Sequence, residues 1–170
     1  MQYVARKVSK NKWILRSYLG RDAIAADAIT GGCIRTQSDA LSVWECASGQ
    51  QDDVEPVVLA LAAAGSHLDT IDIVILPKDE LEGLDVARSE GNTPVQDLRP
   101  CHVDIQHLDT KGICQLARSI AAAVRSENEL RCRRFRESEV ERILRDAILT
   151  GRLNHEDLGE GLRNRLKMPL

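Results

Sequence analysis

Aromatic side chains are scarce. The 170 residues hold two tryptophans, two tyrosines and one phenylalanine, 3% of the chain. A core of packed rings is therefore excluded. Leu, Ile, Val and Ala must fill it, with Trp13, Trp44 and Phe135 as its few large anchors. Long apolar runs are missing too. The longest, VVLALAAAG at 57–65, falls well short of the ~20 residues that cross a bilayer. Charges scattered through MQYVARKVSKNKWILRS leave no apolar centre for a secretory leader. The five cysteines, at 33, 46, 101, 114 and 132, are odd in number and irregular in spacing. That does not suggest a disulfide framework and fits thiols in a reducing cytosol. The expectation is a cytoplasmic chain with no membrane partner.

Signatures of chemistry are also absent. No nucleophile elbow, papain-like cysteine segment, phosphate loop or dinucleotide turn is present. No repeat, heptad or low-complexity tract interrupts the chain.

What is present is an ordinary globular balance, 43% hydrophobic and 29% charged, with the charge unevenly spread. Residues 1–21 carry six basic side chains and no acidic one; residues 22–124 carry six basic and seventeen acidic; residues 125–170 carry eleven basic and nine acidic. Basic ends on an acidic body suit a polyanion, a neighbouring copy or the protein's own surface.

The pattern of apolar residues gives the elements. MQYVARKVS alternates loosely as a strand, and KNK turns into a second around Trp13–Leu15. CIRT (33–36) and LSVWECA (41–47) read as a hairpin. In its second strand Leu41, Val43 and Glu45 point one way and Ser42, Trp44 and Cys46 the other. A helix follows the acidic loop GQQDDVE, with Asp53 as cap, Pro56 in the first turn and Gly65 as stop. IDIVIL (71–76) is a strand covered on both faces. Strand 41–47, helix 54–64 and strand 71–76 predict one right-handed βαβ crossover. LDVAR (84–88) adds an edge strand, and SEGNTPVQDLRP (89–100) is a loop.

Beyond residue 100 only helices are expected: 101–108, 110–125, two opened by boxes at Ser126/Glu129 and Ser138/Glu141, and a last one after Asn154. The fold class is α+β, a small mixed sheet from about residues 1–90 with a helical C-terminal half. The division expected is a core domain, 1–125, and a helical extension, 126–170, packed on the core or on a partner.

CHVDIQHLDTKGIC (101–114) gathers two cysteines, two histidines and two aspartates. On a helix Cys101, Ile105 and Leu108 form one apolar stripe. His102 and His107, five apart, then point about 140° from one another and do not share a metal. In the next helix Ile113, Ala117, Ile120 and Val124 form the stripe and Cys114 stands at its shoulder. Asp109 or Thr110 reads as a helix cap rather than an acid–base group. The stretch is therefore expected to be structural, with neither metal ligands nor a cofactor site. Pairing of Cys33, Cys46 or Cys114 with His67, His102 or His107 as nucleophile and base carries no local signal.

Two basic features suit nucleic acid. One is RCRRFR, with Arg131, Arg133, Arg134 and Arg136 around Phe135; the other is the N-terminal strip with Lys7, Lys10 and Lys12. Against the first, Glu127, Glu129, Glu137, Glu139 and Glu141 are near enough in sequence to neutralise it. In the tail, Val140, Ile143, Leu144, Ala147 and Ile148 make an amphipathic stripe, and Leu158, Leu162 and Leu166 make a ridge that fits the core or a partner. The leading expectation is thus a non-enzymatic subunit acting by protein–protein association, homo- or hetero-oligomeric. Nucleic-acid association is the alternative. An enzyme whose site is assembled from distant polar residues such as Arg35, Asp39, Glu45, Asp72 and His102 comes third.

Overall fold

The computed structural model describes residues 2–14, 20, 23–31, 33, 34, 36, 38–126 and 128–167. In chain order these residues form β1 (Tyr3–Val8), α1 (Ala26–Thr30), β2 (Leu41–Cys46), α2 (Gln51–Ala63), β3 (Ile71–Pro77), β4 (Asp85–Arg88), β5 (His102–Gln106), α3 (Thr110–Arg125), β6 (Cys132–Phe135), α4 (Glu137–Leu149) and α5 (Glu160–Arg165). The six strands make one sheet in the order β4-β5-β2-β1-β3-β6. The class is α+β with a largely helical C-terminal half. Every ladder is antiparallel. The parallel relation that the crossover predicts holds between β2 and β3 at one remove, because β1 lies between them and α2 carries the chain across.

Both faces of the sheet are covered. Ala5, Trp44, Ile71, Ile73, Ile75 and Phe135 pack into one apolar layer with α2, α4 and α5. Val4, Val8, Val43, Val74, Leu76 and Ile105 pack into the other with α3, Trp13 and Ala28 of α1. β3 shows why its sequence is almost wholly aliphatic: Ile71, Ile73 and Ile75 face one apolar layer and Val74 and Leu76 the other. In β2 the expected alternation holds, with Leu41 and Val43 in the α3 layer and Trp44 and Cys46 in the α2 layer. Trp13 and Phe135 are each 1% exposed and anchor the two layers. No described helix is long and apolar enough to cross a membrane.

Several local expectations are corrected. Residues 101–108 are not a helix: a 3₁₀ turn, Gln96–Cys101, leads into β5, which pairs with β2 on one side and β4 on the other. HVDIQ fits both periods, since Ile105 belongs to a helical stripe with Cys101 and Leu108 and to a strand alternation with Val103. Ladders to two neighbours decide it, and those contacts are non-local. Cys33, Ile34 and Thr36 are outside any strand, so β2 has no hairpin partner there. KNK is a 3₁₀ turn, Lys10–Lys12, and Trp13 and Ile14 follow it as turn rather than strand; Leu15 lies outside the described residues.

Ser126 closes α3 instead of opening a helix, and the chain beyond it turns into β6. α2 and α4 each begin before the cap read from sequence. Asp53 lies in the first turn of α2, and α4 is capped at Arg136, whose amide donates to the Glu139 carboxylate. α3, by contrast, starts where Asp109 predicts: its carboxylate accepts from the Gly112 amide at 2.8 Å. Residues 126–170 contribute both an edge strand and two helices of the α2 layer.

Candidate ligand-binding cleft at the sheet split

The arginine cluster is largely engaged by the protein's own surface. Arg131 donates to Glu80 Oε1 at 2.6 Å and to the Ile75 carbonyl at 3.2 Å. Arg134 holds Asp72 through two hydrogen bonds. Arg133 donates to Gln51 Oε1 at 3.2 Å, and Arg136 opens α4, its amide donating to Glu139. Apart from Glu139, the partners come from β3, the turn after it and the first residue of α2, not from the neighbouring glutamates.

The leucine ridge is internal. Leu158, Leu162 and Leu166 are 3%, 0% and 0% exposed and belong to the layer under α2 and α4.

The residues considered for a distant-assembly enzyme each have a separate neighbour. Glu45 pairs with Lys78 at 2.5 Å, Asp72 with Arg134, and His102 Nδ1 lies 2.6 Å from Ser89 Oγ with its ring edge-on to Trp44. The Asp39 carbonyl accepts from the Leu108 amide, and Arg35 lies outside the described residues. The cysteine–histidine pairings fare the same way: His107 faces Asp85, and Cys33 Sγ accepts from the Ser9 amide. Among the described residues no group of three or more His, Cys, Asp or Glu could hold a metal ion.

One site stands apart from these closed contacts. β1 pairs with β3 along its whole length, Tyr3 to Val8, but with β2 only from Tyr3 to Ala5. Below Ala5 the two strands part, while β2 continues its ladder to β5. Arg6 sits at the opening. Its Nε donates to the Cys33 carbonyl at 2.6 Å, and Nη1 donates to the Ser42 carbonyl, which lies past the end of the β1–β2 ladder. The guanidinium thus fills a place that a strand amide would otherwise occupy.

Beside it lies a cleft of about 400 Å³, lined by Arg6, Lys7, Ser9, Ser42, Trp44 and Leu61. Residues from both faces of the sheet line it because the sheet itself is open there.

A guanidinium has five N–H donors, and carbonyls take two of them here. Among the described residues Arg6 has no carboxylate partner, and its Nη2 is not sealed from solvent. Burial pulls Arg6 down from its usual pKa to about 10, with Cys33 acting in the opposite direction. It therefore stays cationic at neutral pH. Lys12 Nζ caps the Gly31 carbonyl at 2.8 Å on the same rim, and the Lys10 amide reaches Asp72. Lys7 is exposed. The only carboxylate bonded to a lining side chain, among the described residues, is Asp104, which accepts from the Ser42 hydroxyl at 2.8 Å.

In the sequence Arg6 counts among the six basic residues of 1–21. The signal was available: in Val4-x-Arg6-x-Val8 a charged residue takes an inward position of a strand. Compared with protein-family models, with curated proteins and with solved structures, the chain matches none.

Proposed function

We propose that this protein works by binding, and that the split between β1 and β2 holds a small ligand through an anionic group. Arg6 carries this reading. It is a partly buried cation whose protein acceptors are neutral carbonyls, and its remaining donors border a cleft of a size usual for small-molecule sites. A buried charge is costly unless it is paired. An anion in the cleft would complete the pairing that the described residues leave open.

The association reading rests on the terminal helix pair and the uneven charge, and the nucleic-acid reading on the arginine cluster and the N-terminal strip with Lys7, Lys10 and Lys12. The ridge is core, and in the cluster Arg131 and Arg134 are held by Glu80 and Asp72. The test is thermal unfolding of the full chain in a panel of small anions at constant ionic strength. Ligands that bind only the native state raise Tm in a saturable way. The expected result is such a rise with the wild type and its loss with Arg6→Gln. Equal shifts in both proteins would overturn the proposal.

A further inference from the structure

The geometry points to a phosphate monoester of a small organic molecule as the ligand, an assignment that rests on the anion-binding reading above. Two cations flank the cleft, Arg6 and Lys7, adjacent on β1. Neighbouring residues of a strand normally serve opposite faces. Here both line one space because the sheet is open below Ala5. A carboxylate or sulfate ester carries one charge. A phosphate monoester carries close to two at neutral pH, with three terminal acceptor oxygens.

The donors match that demand. Two carbonyls occupy two of the five guanidinium hydrogens, which leaves three on the terminal nitrogens. Lys7 adds an ammonium, and Ser9 lies on the same wall. Asp104 stands on the β5 side, where it engages the Ser42 hydroxyl and would repel an anion. The dianion is therefore placed toward β1. Trp44 and Leu61 supply an apolar surface behind it, which favours an ester over inorganic phosphate. A volume of about 400 Å³ limits the organic part to a single small group.

Isothermal titration calorimetry on the full chain tests this with phenyl phosphate, phenyl sulfate, benzoate, inorganic phosphate and a 5′-phosphorylated oligonucleotide. Phenyl sulfate has the shape of phenyl phosphate with one charge fewer. Phenyl phosphate should bind about tenfold more tightly than phenyl sulfate, benzoate or inorganic phosphate. Lys7→Gln, a change at an exposed position, should bring the phosphate-to-sulfate ratio close to one, and Arg6→Gln should abolish both. A Lys111→Gln control should change neither.

Equal affinity for phosphate and sulfate esters would overturn the phosphate assignment and leave the anion reading standing. Inorganic phosphate as tight as the ester would overturn the role of the apolar wall. Tighter, salt-sensitive binding of the oligonucleotide would overturn the small-molecule assignment. No binding of any anion would overturn both proposals. Because Lys7→Gln leaves the fold's internal contacts in place, its result stands even if the Arg6 variant fails to fold.

Discussion

Arg134 and Asp72 face one another across the β3–β6 ladder and are joined twice, Nε to Oδ1 at 2.7 Å and Nη2 to Oδ2 at 3.0 Å. The carboxylate is nearly buried, whereas the arginine is about half exposed. Asp72 also accepts from the Lys10 amide at 3.3 Å, tying the turn after β1 to β3. The hydrogen bonds donated to Asp72, and then its charge, raise the Arg134 guanidinium above its usual pKa. This pair holds the edge strand β6 and explains why an arginine in the basic cluster is not at liberty to grip a phosphate.

Arg134→Ala should therefore destabilise the protein by about 1–2 kcal/mol, because it leaves a nearly buried carboxylate without its cation. Urea unfolding measures this directly. An unchanged midpoint, together with weakened binding of nucleic acid in a salt series, would assign Arg134 to a phosphate contact instead.

Leu162→Ala should cost about 2–4 kcal/mol, the range for truncating a buried leucine. The side chain is fully enclosed in the α2 layer. Chemical denaturation of the variant checks this. A docking ridge would behave in the opposite way, with stability close to wild type and altered retention in size-exclusion chromatography.

His102 should make stability fall in mild acid. Burial lowers its imidazole below the usual value; Asp104 opposes the shift and the Arg6 charge adds to it. The unfolded side chain takes up its proton near pH 6.5, the folded one only at lower pH. The stabilisation is thus fully present above about pH 6.5 and is lost as pH falls through that value toward the folded one. Urea midpoints from about pH 7.5 down to about pH 5 should decline for the wild type and decline less for His102→Gln. Parallel profiles would contradict it.

The thiols should differ sharply in reactivity. All five cysteines are free; Cys114 is exposed, and Cys33, Cys46 and Cys132 are buried. Burial, then Asp53 and Glu45, push the Cys46 thiol up to about 12, and burial also raises Cys101 and Cys132. Thiolate is the reacting form. A colorimetric thiol reagent should find Cys114 fast in the native protein and lose that phase in Cys114→Ser, with all five reacting in denaturant. A fast phase that persists in the variant would show that a second thiol is open.

Much of the framework was legible in the sequence. β3 declared itself by an unbroken apolar run, α4 by its 3.6-residue stripe, and α3 by Asp109 and the apolar positions behind it. What escaped were β5 and β6. HVDIQ and CRRF are five- and four-residue segments whose identity depends on ladders to β2, β4 and β3, formed by residues 15 to 64 positions away. Local period cannot supply that. The apolar stripe of the cysteine- and histidine-rich stretch predicts a helix over 101–108, whereas its residues divide between a turn, a strand and the start of α3. Cys114 was placed at the shoulder of the apolar stripe and is exposed. Arg6 was legible only as an anomaly, a charge between two inward valines, and its carbonyl partners at 33 and 42 emerge only once the sheet opens.

The most direct test of the central claim is the ¹⁵N NMR signal of Arg6 Nε–H, assigned by its loss in Arg6→Lys and followed as phenyl phosphate is added. The account predicts a saturable shift confined to Arg6 and the neighbouring amides of Lys7, Ser9 and Ser42, with the Arg134 signal unmoved. A titration in which Arg6 stays fixed, or in which every exposed arginine drifts together without saturation, would contradict it.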